Sequence, residues 1–252
     1  MTEFFFFFIW KMLYCGEMTG GKSQNKKGCN LKKILIGVSV GVMILASVVG
    51  VYLYVNRFDA SKYVQAVLDV SYKNKTTLYQ EVADVSEKEA KAVFEKNLDA
   101  TMQGFDASDM PDSLKGKYRE LFGEIAKKVN YTVGEAQKEK DGTYIVSVKV
   151  KPITLFTDTY DLFLSRAEQY AKEVTDHVTK GAQMPTDEEM QEKIYQIYYE
   201  VLKEQAEVGM LYGRAEDVVL HIEKEGRGNY GIRQKDMKKL DGLLIEEVHP
   251  IE

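Results

Sequence analysis

The sequence predicts an α+β protein, helices packed on one face of an antiparallel sheet, carried behind a single N-terminal transmembrane helix. Three observations predict it. Residues 34–55 hold no charged side chain. From Asp59 to Ile125 the apolar residues recur at helical spacing, and from Val129 onward the spacing switches to strict alternation in two separate stretches. Two long amphipathic segments lie between those stretches, so the strand pairs are expected to sandwich a helical hairpin in the chain order.

The apolar run ILIGVSVGVMILASVVGVYLYV has 22 residues. At about 1.5 Å per residue it covers about 33 Å, enough to cross a hydrocarbon core of about 30 Å. Lys32 and Lys33 abut its first end, and Tyr52 and Tyr54 lie near its other end, where amphipathic rings favour the headgroup level. The positive-inside bias makes residues 1–33 a short basic cytoplasmic tail, residues 34–55 the span, and residues 57–252 an extracytoplasmic domain. A cleaved signal peptide ending near Val48-Val49-Gly50 is the rival reading, opposed by continuation of the apolar run through Val55. A lipid anchor fits less well, because Cys15 follows Tyr14 and both cysteines, Cys15 and Cys29, precede the run. The opening MTEFFFFFIWKMLYCGE leaves two readings: translation starting at Met18, or a tail whose aromatics touch the membrane surface.

Past the span, Asp59 caps a helix reaching about Tyr72, with Tyr63, Val67 and Val70 on one face; the same helix is alternatively a continuation of the membrane span. Ser86-Glu87-Lys88-Glu89 has the capping-box pattern and opens a second helix with Ala90, Val93, Phe94 and Leu98 as its apolar stripe. DASDMPD is a loop. A third helix from Ser113 buries Leu114, Tyr118, Leu121, Phe122 and Ile125. Val129, Tyr131 and Val133 begin a strand, Asp141-Gly142 marks a hairpin turn, and Tyr144, Val146, Val148 and Val150 share the inner face of the return strand, which Pro152 ends. The helical hairpin occupies about 160–209, its second helix opened by the capping box Thr186-Asp187-Glu188-Glu189. Val218, Leu220 and Ile222 line a third strand, Gly226-Arg227-Gly228-Asn229 turns the chain, Tyr230 and Ile232 return it, and a last helix presents Met237, Leu240 and Leu244.

The helical start, the hairpin YTVGEAQKEKDGTYIVSVKVKPI and the ending NYGIRQKDMKKLDGLLI resemble uncharacterised cell-envelope domains of Gram-positive bacteria, often lipoproteins, of the cystatin-like or nuclear transport factor 2-like superfamily. The resemblance implies a long helix cradled by a curved sheet around a cone-shaped cavity. It implies no activity, since that fold hosts enzymes and inert binding modules alike. Two departures stand out: an apolar span in place of a lipid-modified cysteine, and the inserted helices of 160–209.

Chemistry is sparse. The net charge of -5 combines about +4 before position 57 with about -9 after it, which leaves no basic surplus for a nucleic-acid partner. The outer domain has no cysteine, hence no internal disulfide and no thiolate metal site. No phosphate-binding glycine loop, nucleophile elbow or paired-histidine metal motif occurs. His177, His221 and His249 are far apart and read as surface or capping residues; Asp106, Asp109 and Asp112 lack the spacing of a calcium loop and read as turn and cap residues. Tyr170, Tyr195, Tyr198, Tyr199 and Tyr212 give the hairpin an aromatic character suited either to packing on the sheet or to a partner. No catalytic, cofactor or metal residue is assigned. The expected function is a non-catalytic envelope module binding a protein, peptide or cell-wall component. The alternative is a small-molecule binder or isomerase-like enzyme using the cavity with an Asp or Tyr. A sensor signalling through the anchor would need more than the short tail 18–33. For topology, a cytoplasm-dependent reporter should be active when fused before Lys32 and silent when fused after Glu252; the reverse pattern would overturn the orientation.

Overall fold

A computed structural model describes residues 58–105, 110–226 and 229–246. The predicted tail and span, Asp106, Asp109, Arg227, Gly228 and His249 lie outside the described residues. Helices α1 (Ala60–Lys73), α2 (Thr77–Ala83), α3 (Glu87–Phe105) and α4 (Asp112–Lys127) come first. Strands β1 (Asn130–Lys138) and β2 (Tyr144–Lys151) follow, then helices α5 (Leu155–Asp158), α6 (Tyr160–Thr179) and α7 (Asp187–Val208). Strands β3 (Glu216–Glu225) and β4 (Asn229–Ile232) and helix α8 (Gln234–Leu244) complete the order. The strands form one antiparallel sheet in the order β1-β2-β3-β4, so the helical hairpin is an excursion between two neighbouring strands.

Local chemistry explains where the helices start. The Asp59 carboxylate accepts from the Lys62 amide at 2.9 Å while its own backbone stays extended, so α1 begins at Ala60 and does not run on from the residue before it. The reading in which this helix continues a membrane span is corrected at that point. Both predicted capping boxes form: Ser86 with Glu89, and Thr186 with Glu189. Helix α2 has no counterpart in the sequence reading. It is seven residues long, too short for a periodic pattern, and is held by burial of Tyr79 and Ala83.

The sheet follows the alternation. Val146, Val148 and Val150 of β2 and Val218, Leu220 and Ile222 of β3 are all fully buried, and the register pairs Val146 with Leu220 and Val148 with Val218. Tyr144 shares that face at its half-buried edge. The opposite face carries Ser147, Lys149 and Asp217 to solvent. The β1–β2 turn is the predicted one: Gly142 adopts φ +92°, and the Thr143 amide donates to the Asp141 carboxylate at 2.9 Å. Helix α1 crosses the inner face over β1 and β2, α8 covers β3 and β2, and α3 lies against α1.

Strand β1 holds a bulge that alternation alone did not reveal. Val133 pairs with Val148 and Ala136 with Val146, so Gly134 and Glu135 together face Ser147. A side chain at Gly134 would place its Cβ 2.9 Å from the Ser147 carbonyl oxygen. The carbonyl of Gly134 in turn accepts from the Ser61 hydroxyl at 2.8 Å, which ties the bulge to the first turn of α1. Gly134→Ala should therefore destabilise the domain by about 1–3 kcal/mol, and Ser61→Ala by about 1 kcal/mol. Urea unfolding midpoints of the two variants check this; an unchanged midpoint for the glycine variant would show that the bulge tolerates a side chain.

Candidate functional site

Polar side chains inside an apolar core identify the site. Among the described residues Ser71, Asn97, Thr159 and Asp241 are the buried polar or charged ones. Thr159 satisfies itself by donating to the Leu155 carbonyl at 2.7 Å. The other three meet around a cavity of about 60 Å³ enclosed by α1, α3, α4 and α8.

Helix α8 carries Asp241 on the same stripe as Met237, Leu240 and Leu244, and that stripe faces the core. The carboxylate is thereby delivered to the interior with the apolar residues beside it. The Tyr72 hydroxyl, from the last turn of α1, donates to Asp241 Oδ1. Asn97 lies on the buried stripe of α3, and its Nδ2 donates to the Ser71 carbonyl at 3.2 Å. Asp241 Oδ2 and Asn97 Oδ1 are buried without a hydrogen-bond partner. Loss of hydration raises the Asp241 carboxyl from its ordinary value to about 7, and the Tyr72 hydrogen bond only partly offsets this. Burial and the adjacent carboxylate push the Tyr72 phenol well above its usual range, so the shared proton stays on tyrosine.

Residues singled out from the sequence fall elsewhere. His177 is exposed near the end of α6. His221 contacts the Asp236 carboxylate at 2.7 Å through Nδ1, and Asp236 also accepts from the His221 amide, a pairing that joins β3 to the start of α8. Asp112 is an exposed first-turn residue paired with Lys115 at 2.8 Å. No group of three or more potential metal ligands occurs among the described residues. The tyrosines pack. Tyr195 is buried and its carbonyl accepts from the buried Tyr118 hydroxyl at 2.7 Å, Tyr198 lies against Phe163, and the Tyr212 hydroxyl donates to the Lys128 carbonyl at 2.6 Å. Among the described residues the large apolar side chains exposed on the hairpin and its root are Met184 at the turn and Leu162, Val208, Leu211 and Tyr212 toward the root, with Val208 85% exposed.

Asp241 and Asn97 were legible in principle. Each is a polar residue at a position that helical spacing assigns to the buried stripe, the one signal that marks a polar group carried inward. The apolar stripes Ala90, Val93, Phe94, Leu98 and Met237, Leu240, Leu244 run through these positions without including them.

Comparison with known proteins gives a fold. The chain matches, with a TM-score of 0.51 over 75% of its length, the crystal structure of a protein from Bacillus subtilis described as a lipoprotein, YcdA. The two are 17% identical, and the match spans 56% of the Bacillus chain. No protein-family model matches the chain, and no curated protein matches it significantly. The likeness is one of α+β architecture. Among the described residues no helix is long and apolar enough to cross a membrane; the predicted span at 34–55 lies outside them.

The Asp241 carboxyl sets a pH dependence. An unfolded aspartate titrates near 4, whereas this one titrates at about 7 in the fold. Between those values the native state holds a proton that the unfolded chain has lost, so the group's contribution to stability is greatest below about pH 4 and falls as pH rises toward 7, by at most about 4 kcal/mol. Asp241→Asn keeps an oxygen for Tyr72 and cannot ionise. It should flatten stability between pH 5 and 8 and be the more stable protein at pH 8 by about 1–3 kcal/mol; identical urea midpoints for the two proteins at pH 5 and pH 8 would rule this out.

Proposed function

We propose that this chain is a membrane-anchored protein of the cell envelope whose outer domain, residues 57–252, serves as a non-catalytic interaction module for an envelope protein, peptide or cell-wall component. The observation that carries the reading is the architecture shared with the Bacillus protein described as a lipoprotein. A lipoprotein is held at the membrane by its acylated N-terminus; here the uncharged run 34–55 takes that role, with the N-terminus cytoplasmic. The packing of α1 across an antiparallel meander is also the arrangement that the cystatin-like resemblance implies, and membership of that superfamily is part of the proposal. Leu162, Val208 and Leu211 at the hairpin root supply exposed apolar surface of the kind partners cover. The acidic outer domain argues against a nucleic-acid partner.

The second reading, a small-molecule binder or isomerase-like enzyme, is favoured by one observation, the Asp241 carboxylate beside Tyr72 in a cavity. The cavity's size counts against catalysis on an ordinary substrate: about 60 Å³ falls well short of the roughly 300 Å³ at which ligand pockets begin. Fractionation and photocrosslinking separate the readings. The full chain should stay with membranes through carbonate washing, and a photoreactive residue at position 211 should capture a discrete envelope component. Release by carbonate would remove the anchor, and turnover of a small molecule without any crosslink would favour the enzyme.

A further inference from the structure

The cavity beneath Asp241 has unmet acceptor capacity at its polar end. Two oxygens there have no partner, Asp241 Oδ2 and Asn97 Oδ1. The donors beside them point elsewhere: the Tyr72 hydroxyl to Asp241 Oδ1, Asn97 Nδ2 to the Ser71 carbonyl, and the Thr101 hydroxyl to the Asn97 carbonyl at 3.0 Å. Once Asp241 is ionised, the polar end therefore offers two unpartnered acceptors, one of them charged. The remaining wall is apolar, formed by Phe94, Leu98, Phe122, Ile125, Phe156 and Leu244.

An occupant that satisfies this wall must carry its donors at one end and apolar surface at the other. An anion is refused by the acceptors. A hydroxyl brings a single donor to two orphaned oxygens. A guanidinium spreads its N–H groups around a plane, and most of them would face the phenylalanines. A calcium or magnesium ion needs about six oxygens, far more than this end supplies. We propose that the cavity is a binding site for a primary ammonium on a short alkyl stem, held by Asp241 and Asn97. Three N–H donors on one nitrogen meet both oxygens, the charge pairs with the carboxylate, and the stem lies among the aromatic and aliphatic side chains, whose rings also favour a nearby cation. One water-sized volume is roughly 10–15 Å³, so about 60 Å³ accepts a stem of roughly three or four carbons. Thr101, Ala126 and Ile245, the half-buried members of the lining, mark the side on which the cavity approaches solvent.

Binding draws on the ionised carboxylate, so it strengthens as pH rises through the Asp241 titration. The titratable group facing Asp241 is Tyr72 on α1. No charged side chain of α3, α4 or α5 lines the cavity, Asp236 on α8 is engaged with His221, and Lys238 and Lys239 on α8 are exposed. The same chemistry is presented by a free alkylamine and by the tip of a lysine side chain on a larger partner. The site goes beyond the interaction reading and does not depend on it, since it concerns the domain interior and not the hairpin root.

The test uses the full chain in lipid nanodiscs with labelled methyl groups, titrated with n-butylammonium chloride, with empty nanodiscs and equimolar potassium chloride as controls. Saturable shifts confined to the methyls of Leu98, Ile125 and Leu244 are expected, with half-saturation in roughly the millimolar range for so few atoms. With Asp241 titrating at about 7, affinity should be about 10-fold higher at pH 8 than at pH 6. Asp241→Asn should weaken binding by at least about 10-fold while its spectrum stays folded, and Asn97→Leu should weaken it several-fold while preserving the pH dependence. Absence of saturation, equal binding of n-butanol, equal shifts with potassium, or undiminished binding by both variants would overturn the site. Nα-acetyl-lysine amide binding more tightly than butylammonium places the ammonium on a protein or cell-wall lysine; weaker binding places it on a free amine. Either result supports the site, and neither bears on the envelope partner, which crosslinking at position 211 reads separately.

Discussion

Helix α1 sets the terms for everything around it. Nine of its 14 residues are buried, and they include the consecutive runs 66–68 and 70–72, so burial extends round most of its circumference. A helix in that position must be enclosed on several sides. The sheet covers one, α3 and α2 another, and α8 closes over the sheet beside it. Its own hydrogen bonds reach outward to fix the enclosure: Ser61 to the β1 bulge, Tyr63 to the Tyr230 carbonyl at 2.9 Å on β4, and Tyr72 to Asp241 on α8. These three contacts join the helix to both edges of the sheet and to the last of the described elements.

Enclosure has a cost at its far end. The last turn of α1 delivers Tyr72 into the core, where a phenol needs a partner, and α8 supplies a carboxylate for it. One oxygen of that carboxylate is satisfied and the other is not. A neutral acceptor would serve Tyr72 equally well without bringing an ionisable group inward. Retaining the acid makes the core sensitive to proton concentration near neutrality, a property that packing alone does not require.

The strands were readable in the sequence because a sheet with one wet face enforces period two, and Val146, Val148, Val150, Val218, Leu220 and Ile222 obey it without exception. The long helices were readable for the same reason at period 3.6, aided by capping residues whose hydrogen bonds form as expected. Short elements were not. Helices α2 and α5 span too few residues to show a period, and the bulge in β1 is a break in alternation that a single glycine barely signals. The cavity was missed for a different reason. Asp241 and Asn97 sit within apolar stripes, and a stripe read only for its apolar members passes over the polar residue that shares its face. The tyrosines of the hairpin, for which the sequence leaves both packing and a partner open, are spent largely on internal packing.

The excursion between β2 and β3 is fastened at its root. Ile153 bridges antiparallel to Tyr212 and parallel to Ile245, its amide donates to the Leu244 carbonyl at 2.9 Å, and Glu246 returns a bond to its carbonyl at 2.9 Å. Further out, the packing thins: a group around Phe163, Ile194 and Val201 gives way to the pair Val174 and Met190, and then to the exposed turn 181–184. Amide protons along α6 and α7 consequently experience a gradient of protection, lowest at the turn and highest where the clamp holds. On this packing, opening is expected to begin at the turn, where the contacts are fewest, and to reach the clamped base last.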